Sequence, residues 1–519
     1  MSKWPDKLVV YEVNTWVWLT TLSRQYGEPI TLLNVPEEAV DLLAKPGLDF
    51  IWFMGVWQRN PAGRANALKY KHEYQPALPD LTDEDVIGSA YAVGRYEVDI
   101  QLGGREGLAA LRQRLNERGI GVILDYVPNH IATDHPWLYA HPEYIVQGTA
   151  EDLEHRPSDF FAHRTVKGEQ LVMAHGRDPL FPGWSDTAQL NIFSPAVRDA
   201  CRDTVLDIAA QCDGVRCDMA MLMLTDVFAS TWNGYVEAPP PQEYWEAMIQ
   251  QVHAQHPDFL FIAEVYWGKE YELLLQGFDY AYDKIVYDRV LENDVQKLRE
   301  HLQAPVNFLK RMMAFLENHD EPRAYDKLGP HRSYPAATLL MTLPGAVLLH
   351  DGQLTGRLVK LPVQIGRQPA EPINGYLEEH YLRLMAELES PIYRQGEWQL
   401  FDIDPIGRNN LTHFNLLAYG WYDPATGDHR LIVINMTQHH SQGWLRLHDW
   451  GWLNGATWQM VDVTTGATYD NHSAELTSRG WLVDVEAYES HILRFELVRE
   501  HVDGALNGNI GEAAYIEAD

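Results

Sequence analysis

The stretch Gly214-Val215-Arg216-Cys217-Asp218-Met219-Ala220-Met221, GVRCDMAM, sets two charges into what otherwise reads as an apolar strand. Side chains at i and i+2 of a strand share a face, so Arg216 and Asp218 point one way while Val215 and Cys217 point the other. Taken alone, the two are a structural ion pair, because a buried charge is tolerated only when it is paired. The remainder of the chain says what else they are.

Seven similar runs of β-branched and aromatic residues accompany it: LVVYEVN from Leu8, DFIWFMG from Asp49, GVILDYVP from Gly121, LFIAEVY from Leu260, FDYAYD from Phe278, MMAFLENH from Met312 and AVLLHDG from Ala346. Helical patterns alternate with them. GGREGLAALRQRLNERG and SPAVRDACRDTVLDIAAQ are examples, the second opening on Ser-Pro, a natural N-cap and first-turn pair. Eight strands with intervening helices predict an α/β fold, a (β/α)8 TIM barrel, over residues 1–130 and 192–405. Residues 131–191, rich in Pro, His, Asp and aromatics, are too long for a βα loop and predict a small subdomain inserted after strand 3. From about Thr412 alternating strands such as RLIVINMTQ and SHILRFELV, separated by turn signals, predict a C-terminal antiparallel β-sandwich over 406–499. Residues 500–519 read as a polar tail.

The composition suits a large globular chain: 519 residues, 46% hydrophobic, with no apolar run long enough to span a bilayer and no signal-peptide pattern after MSKWPDKLVVYEVN. A soluble, cytoplasmic protein is expected. Cys201, Cys212 and Cys217 match no zinc or redox spacing, and reduced, buried thiols are expected. Seventy-three acidic against forty-one basic residues give a net charge of −32, which argues against nucleic acid or an anionic membrane as partner.

The working face of such a barrel is the C-terminal end of its strands. Acidic residues cluster there. Asp125 stands in DYVPNH at the third strand, Asp218 at the fourth, Glu264 in FIAEVYW at the fifth and Asp320 in FLENHDEPR after the seventh. Each alone has a structural reading: a turn cap for Asp125, an arginine partner for Glu264, a loop closure for Asp320. Together, with Asn129, His130, Arg216 and His319 beside them, they describe a site.

DYVPNH, GVRCDMAM, FIAEVYW and FLENHDEPR resemble, in order and strand placement, the four signature regions of the α-amylase superfamily, glycoside hydrolase family 13. The resemblance spans the barrel, the insert and the C-terminal β-domain. It implies Asp218 as nucleophile, Glu264 as general acid/base and Asp320 as the carboxylate that stabilises the transition state. It also implies a sugar-binding set of Tyr91, Asp125, Asn129, His130, Arg216, His319 and Arg323. Arg216 is then expected to keep Asp218 ionised at neutral pH, since a nearby opposite charge lowers a carboxyl pKa. Glu264 needs an available proton, which the flank of Val265, Tyr266 and Trp267 could promote. The implied activity is that of a retaining α-glycosidase passing through a covalent glycosyl-enzyme, with a small-molecule carbohydrate as substrate. Water or another sugar hydroxyl can serve as acceptor, so transglycosylation stays open beside hydrolysis.

Tyr91, in YAVGRY, matches the family's sugar-stacking tyrosine, and its surroundings look more like the YAVSSY of amylosucrase-type members than an endo-amylase. Other positions depart from the starch-cleaving pattern. Where those enzymes carry Lys-His after the nucleophile, this chain has Met221 and Leu222, which favours a short or unusual substrate. The eighth strand ends in LLHDGQLTGR, whose His350, Asp351 and Gln353 replace an aromatic-Gly-x-Glu pattern, and Trp184 in WSDTAQLN is either a stacking residue or packing. No cofactor is required by this chemistry. The resemblance does admit a structural calcium ion through Asn129, with Asp134, Asp152 and Asp159 nearby in sequence, although no spacing picks out a site. Two other classes compete: a non-catalytic carbohydrate-binding member, which ordinarily lacks one of the three carboxylates, and a metal-dependent barrel enzyme using His130 and His319 as ligands.

Overall fold

A computed structural model describes residues 5, 7–447, 449–454 and 456–500. The chain divides after Trp398 into two compact units. In the first, eight parallel strands close a barrel: β1 (Val9–Asn14), β2 (Phe50–Met54), β3 (Gly121–Tyr126), β4 (Gly214–Cys217), β5 (Leu260–Ala263), β6 (Tyr280–Tyr282), β7 (Met312–Phe315) and β8 (Ala346–His350). Their order around the ring is β1-β8-β7-β6-β5-β4-β3-β2. All eight lie within the runs read from the sequence. The strands are buried along nearly their whole length, which is why they read as continuous apolar runs rather than alternating ones.

Helices pack outside the barrel by one apolar stripe each. Gly104–Asn116 buries Leu108, Leu111 and Leu115, and Pro195–Ala209 buries Val197, Cys201, Val205 and Ile208. Pro195 does occupy the first turn, but the Ser194 side chain makes no capping bond. Between β3 and β4 the inserted segment begins and ends as one antiparallel pair, His130–Ala132 with Thr187–Gln189. A three-stranded sheet of Gln147–Gly148, Phe160–Arg164 and Gln170–Ala174 lies within it.

The second unit carries two antiparallel sheets, one built on Leu416–Tyr422, His429–Asn435, Ser490–Glu500 and Ala456–Asp462, the other on Ile403–Asp404, Ser441–Leu445 and Trp481–Val485. Leu431 and Val433 of one sheet and Leu445 and Val483 of the other belong to one core, as in a sandwich. The units divide after Trp398 rather than after residue 405, where the change of pattern in the sequence suggests. Phe401 and Ile403 explain the difference: both pack into the second unit's core, and the Phe401 N–H donates to the Ala418 carbonyl at 2.9 Å. The polar tail lies outside the described residues, apart from Glu500. Among the described residues no helix is long and apolar enough to cross a membrane.

Candidate active site

Strand register assembles the site. On β4, Arg216 lies across from Asp125 of β3 on one side and Ile262 of β5 on the other. The guanidinium, 1% exposed, gathers the acids of the neighbouring strands. Its Nη1 donates to Asp218 Oδ1 at 2.8 Å, and its Nη2 pairs with Glu264 Oε2 at 2.7 Å. Asp125 Oδ1 is 3.5 Å away and Asp320 Oδ2 3.9 Å. The rings of Trp52 and Tyr91 lie 5.3 and 5.2 Å from its central carbon. Arg216 is therefore more than the partner of Asp218. It is the shared cation of four carboxylates, which is why a charged residue is tolerated in mid-strand.

Burial raises the Asp218 carboxyl to about 7; Arg216 pulls it down and Glu264 pushes it up again. Arg216 thus lowers the Asp218 carboxyl in the expected direction, while burial and the neighbouring acids leave it above the ordinary aspartate value. Asp320 behaves oppositely. Burial raises its carboxyl, but His319, at 2.9 Å, together with Arg216 and Lys360, holds it well below the usual range. His319 is itself held well above the ordinary histidine value, because Asp320 and Glu12 outweigh the effect of burial. Its Nδ1 pairs with Glu12, a fully buried acid on β1 that the motif reading passed over. Asp125 is raised by burial, against the pull of Arg216 and His319.

Glu264 is anchored at both oxygens. Oε2 accepts the Met219 N–H at 2.6 Å and Oε1 accepts the Tyr266 hydroxyl at 2.9 Å. Met219 takes the left-handed conformation, φ 42°, and its N–H, immediately after Asp218, is directed onto Glu264. Neither contact is visible in a motif. Of the flank thought to be apolar, Val265 is buried, Tyr266 supplies that hydroxyl, and Trp267 is exposed.

A cavity of about 360 Å³ opens above these groups, lined among others by Asp218, Glu264, Asp320, Tyr91, His130 and Trp184. Tyr91 is stacked on the His319 ring at 5.1 Å, and Trp184 lies 5.0 Å from His130. Both aromatics thus stand at the cavity. His130, lowered to about 4 by burial, is neutral; its Nε2 donates to the Tyr91 carbonyl at 3.1 Å and its Nδ1 accepts from Asn129 at 3.3 Å. Asn129 stands behind it, bonded to Gln189 at 2.9 Å. Arg323 does not join the cavity lining: it donates to Glu317 at 2.6 Å and to the Asp351 carbonyl at 2.7 Å, a brace for the segment after β8. His350 belongs to the same cluster, 3.1 Å from Glu317. Met221 and Leu222 are buried in a short 3₁₀ turn, Ala220–Met223, so of this turn's neighbourhood only Met219 reaches the cavity.

A family model for the catalytic domain of alpha amylase matches residues 40–368, which contain all of these groups but Glu12. The chain belongs to the alpha-amylase family. Alpha-amylase MalA of Haloarcula japonica is 24% identical over 363 residues, 68% of this chain and 45% of that protein. An alpha-1,4-glucan:maltose-1-phosphate maltosyltransferase of Cereibacter sphaeroides is 27% identical over 453 residues, 82% of this chain and 59% of that one. The chain thus spans about half the length of these relatives. In three dimensions it is similar to the noncanonic maltogenic alpha-amylase AmyB of Thermotoga neapolitana, with TM-score 0.67 and 18% identity over 94% of this chain and 99% of that one.

Of the residues that the alpha-amylase resemblance places near a calcium ion, Asp134 keeps its Oδ1 buried without a hydrogen-bond partner, while the others are engaged. The Asn129 amide oxygen accepts an N–H from Gln189, and the carboxylates of Asp159 and Asp152 are taken by Arg177 and Arg156. Among the described residues no group of three or more His, Cys, Asp or Glu side chains forms a metal site. The acids at the strand ends converge on Arg216 instead.

Proposed function

We propose that this alpha-amylase family chain is a retaining α-glucoside-active enzyme, working on short α-glucosides by double displacement. The observation that carries the reading is Arg216 holding Asp218 and Glu264 by its two terminal nitrogens at the floor of a cavity. Two carboxyls held on one guanidinium suit the shared work of a nucleophile and an acid. Glu264 protonates the glycosidic oxygen while the Asp218 carboxylate attacks the anomeric carbon. The C–O bond to the leaving group breaks as the ester to Asp218 forms. Glu264 then takes a proton from water, or from a sugar hydroxyl, as that oxygen displaces Asp218. Asp320, kept ionised by His319, faces the positive charge that develops on the sugar ring. Tyr91 lies under the ring.

Hydrolysis and transfer share every step but the last acceptor, and relatives bearing both kinds of name are similar to the chain. The partner is a neutral carbohydrate, in keeping with a chain of net charge −32. Three buried free cysteines suit a reducing compartment, and we place the protein in the cytoplasm.

The preference for short substrates rests on the turn after Asp218. With Met221 and Leu222 in the core, it offers no side-chain hydrogen bonds to a long leaving group. Catalytic efficiency per chain end on a short α-glucoside should exceed that on soluble starch by roughly tenfold, the worth of one or two absent hydrogen bonds. Initial rates on maltose, sucrose, trehalose, maltooligosaccharides and starch, with and without added acceptor sugars, give the ratio. Rapid internal cleavage of starch would contradict it.

A further inference from the structure

Helix Thr15–Tyr26 starts directly after β1, capped by Asn14, so the barrel rim has no loop of its own above that strand. Two long segments meet over this gap, residues 55–103 after β2 and residues 351–374 after β8. Their seam is built from three kinds of interaction. Ile365 forms an antiparallel bridge with Val86, flanked by Ile87 N–H to the Gln364 carbonyl at 2.8 Å and Gly366 N–H to the Asp85 carbonyl at 2.9 Å. Arg367, buried, donates to both carboxylate oxygens of Asp85 at 2.7 Å and to Asp80 at 2.9 Å. Beneath them Tyr74, Leu78, Leu81, Val86 and Ile365 form an apolar core of their own. Bidentate charge, paired backbone and a dry core together make a wall, where a few exposed contacts would make only a loose flap.

The wall reaches the cavity through Ser89 and Gln364. Behind His319, between the end of β1 and Leu361 and Val363 of the wall, the space left is about 20 Å³. That is room for about one water and no sugar. The side of the site on which this closure falls follows from the ring order. β1 stands opposite β5 in a closed barrel of eight strands. Glu264 follows β5, and a general acid stands over the oxygen of the departing group. The leaving group therefore exits on the β5 side, and the wall stands where the rest of a chain would continue beyond the sugar being transferred.

We propose that the donor end of the site is closed by this wall, so that the enzyme acts only from the non-reducing ends of its substrates. The proposal rests on the roles given above to Asp218 and Glu264. An internal segment of glucan would have to run through Gln364 and the seam behind it. A chain end stops short of them.

Two maltooligosaccharides of equal length test this, one with a free non-reducing end and one with that end blocked as a 4,6-O-ethylidene acetal, each incubated with the full chain and followed by chromatography of the products. We expect the free-ended compound to be cleaved and the blocked one to react at least about a hundredfold more slowly, because the block collides with a braced wall. Equal cleavage of both would overturn the closed donor end while leaving the glycosidase reading in place. Cleavage of neither would overturn the proposal, which requires the free-ended compound to react, and would confine the glycosidase reading to smaller α-glucosides such as sucrose and trehalose.

Discussion

Asp218→Asn and Glu264→Gln should each abolish turnover while the fold persists. Each exchange keeps the side-chain volume and removes one chemical role. Without the Asp218 carboxylate no ester to the anomeric carbon can form, and kcat should fall at least about 10⁴-fold for every substrate. Without the Glu264 proton the loss should be about 10²- to 10⁴-fold on an ordinary glycoside, and smaller on a substrate whose leaving group needs no protonation. That difference between the two variants separates the roles. Near-wild-type activity of either on a poor leaving group would contradict the assignment.

Stability should move in the other direction for Asp218→Asn. The native carboxyl titrates at about 7, against 3.8 for an unhindered aspartate, so between those values the folded chain holds a proton that the unfolded chain releases. Wild-type stability conferred by this group is then present at low pH and is lost as pH rises through about 7. An amide cannot ionise. Above pH 7 the variant should therefore be the more stable protein, by at most about 4 kcal/mol, the gap between the two values expressed as free energy. Urea denaturation of both proteins at pH 5 and pH 8 measures it: the advantage of the variant should grow from the lower to the higher pH and level off above about 7.

Arg216→Ala should cost activity nearly as severely and, unlike the first pair, should also destabilise the fold. The side chain is buried and pairs at 2.8 and 2.7 Å with the two groups the chemistry needs. Its removal leaves Asp218 and Glu264 facing one another with no cation between them. Breaking a buried pair from one side costs about 3–5 kcal/mol. Arg216→Lys should recover part of the stability but little of the activity, since a single ammonium cannot hold two carboxylates in a fixed fork. Denaturation midpoints and kcat of the two variants, measured together, show whether charge or geometry is the scarcer property. A fully active Arg216→Ala would remove the shared cation from the account.

The barrel was legible because its strands are buried on both faces and so appear as unbroken apolar runs, and the acids stood out as interruptions at their ends. Glu12 carries the same signature in VVYEVN and could have been found by it; it belongs to no motif, and only its pairing with His319 shows its place. Arg323 shows the converse. It closes the Asp320 motif FLENHDEPR, yet Glu317 and the Asp351 carbonyl hold it away from the cavity. The left-handed backbone of Met219 has no sequence signal, because a methionine gives no hint of positive φ. Nor has the wall: Arg367 and Asp85 are separated by 282 residues, and only the fold brings them together. The full environment of Asp218 is hidden in the sequence for a related reason. Arg216 and Asp218 are visible together in one strand, but the other acids that draw on the same guanidinium arrive from elsewhere.

The central claim, double displacement through Asp218 with Glu264 as acid and then base, is tested most directly by the configuration of the first-formed product. Proton NMR during the opening minutes of hydrolysis of a short α-glucoside, before mutarotation mixes the anomers, reads it without any variant. The account predicts that the α-anomer appears first and the β-anomer only later, as equilibrium is approached. A first-formed β-anomer would mean a single displacement by water, and would contradict it.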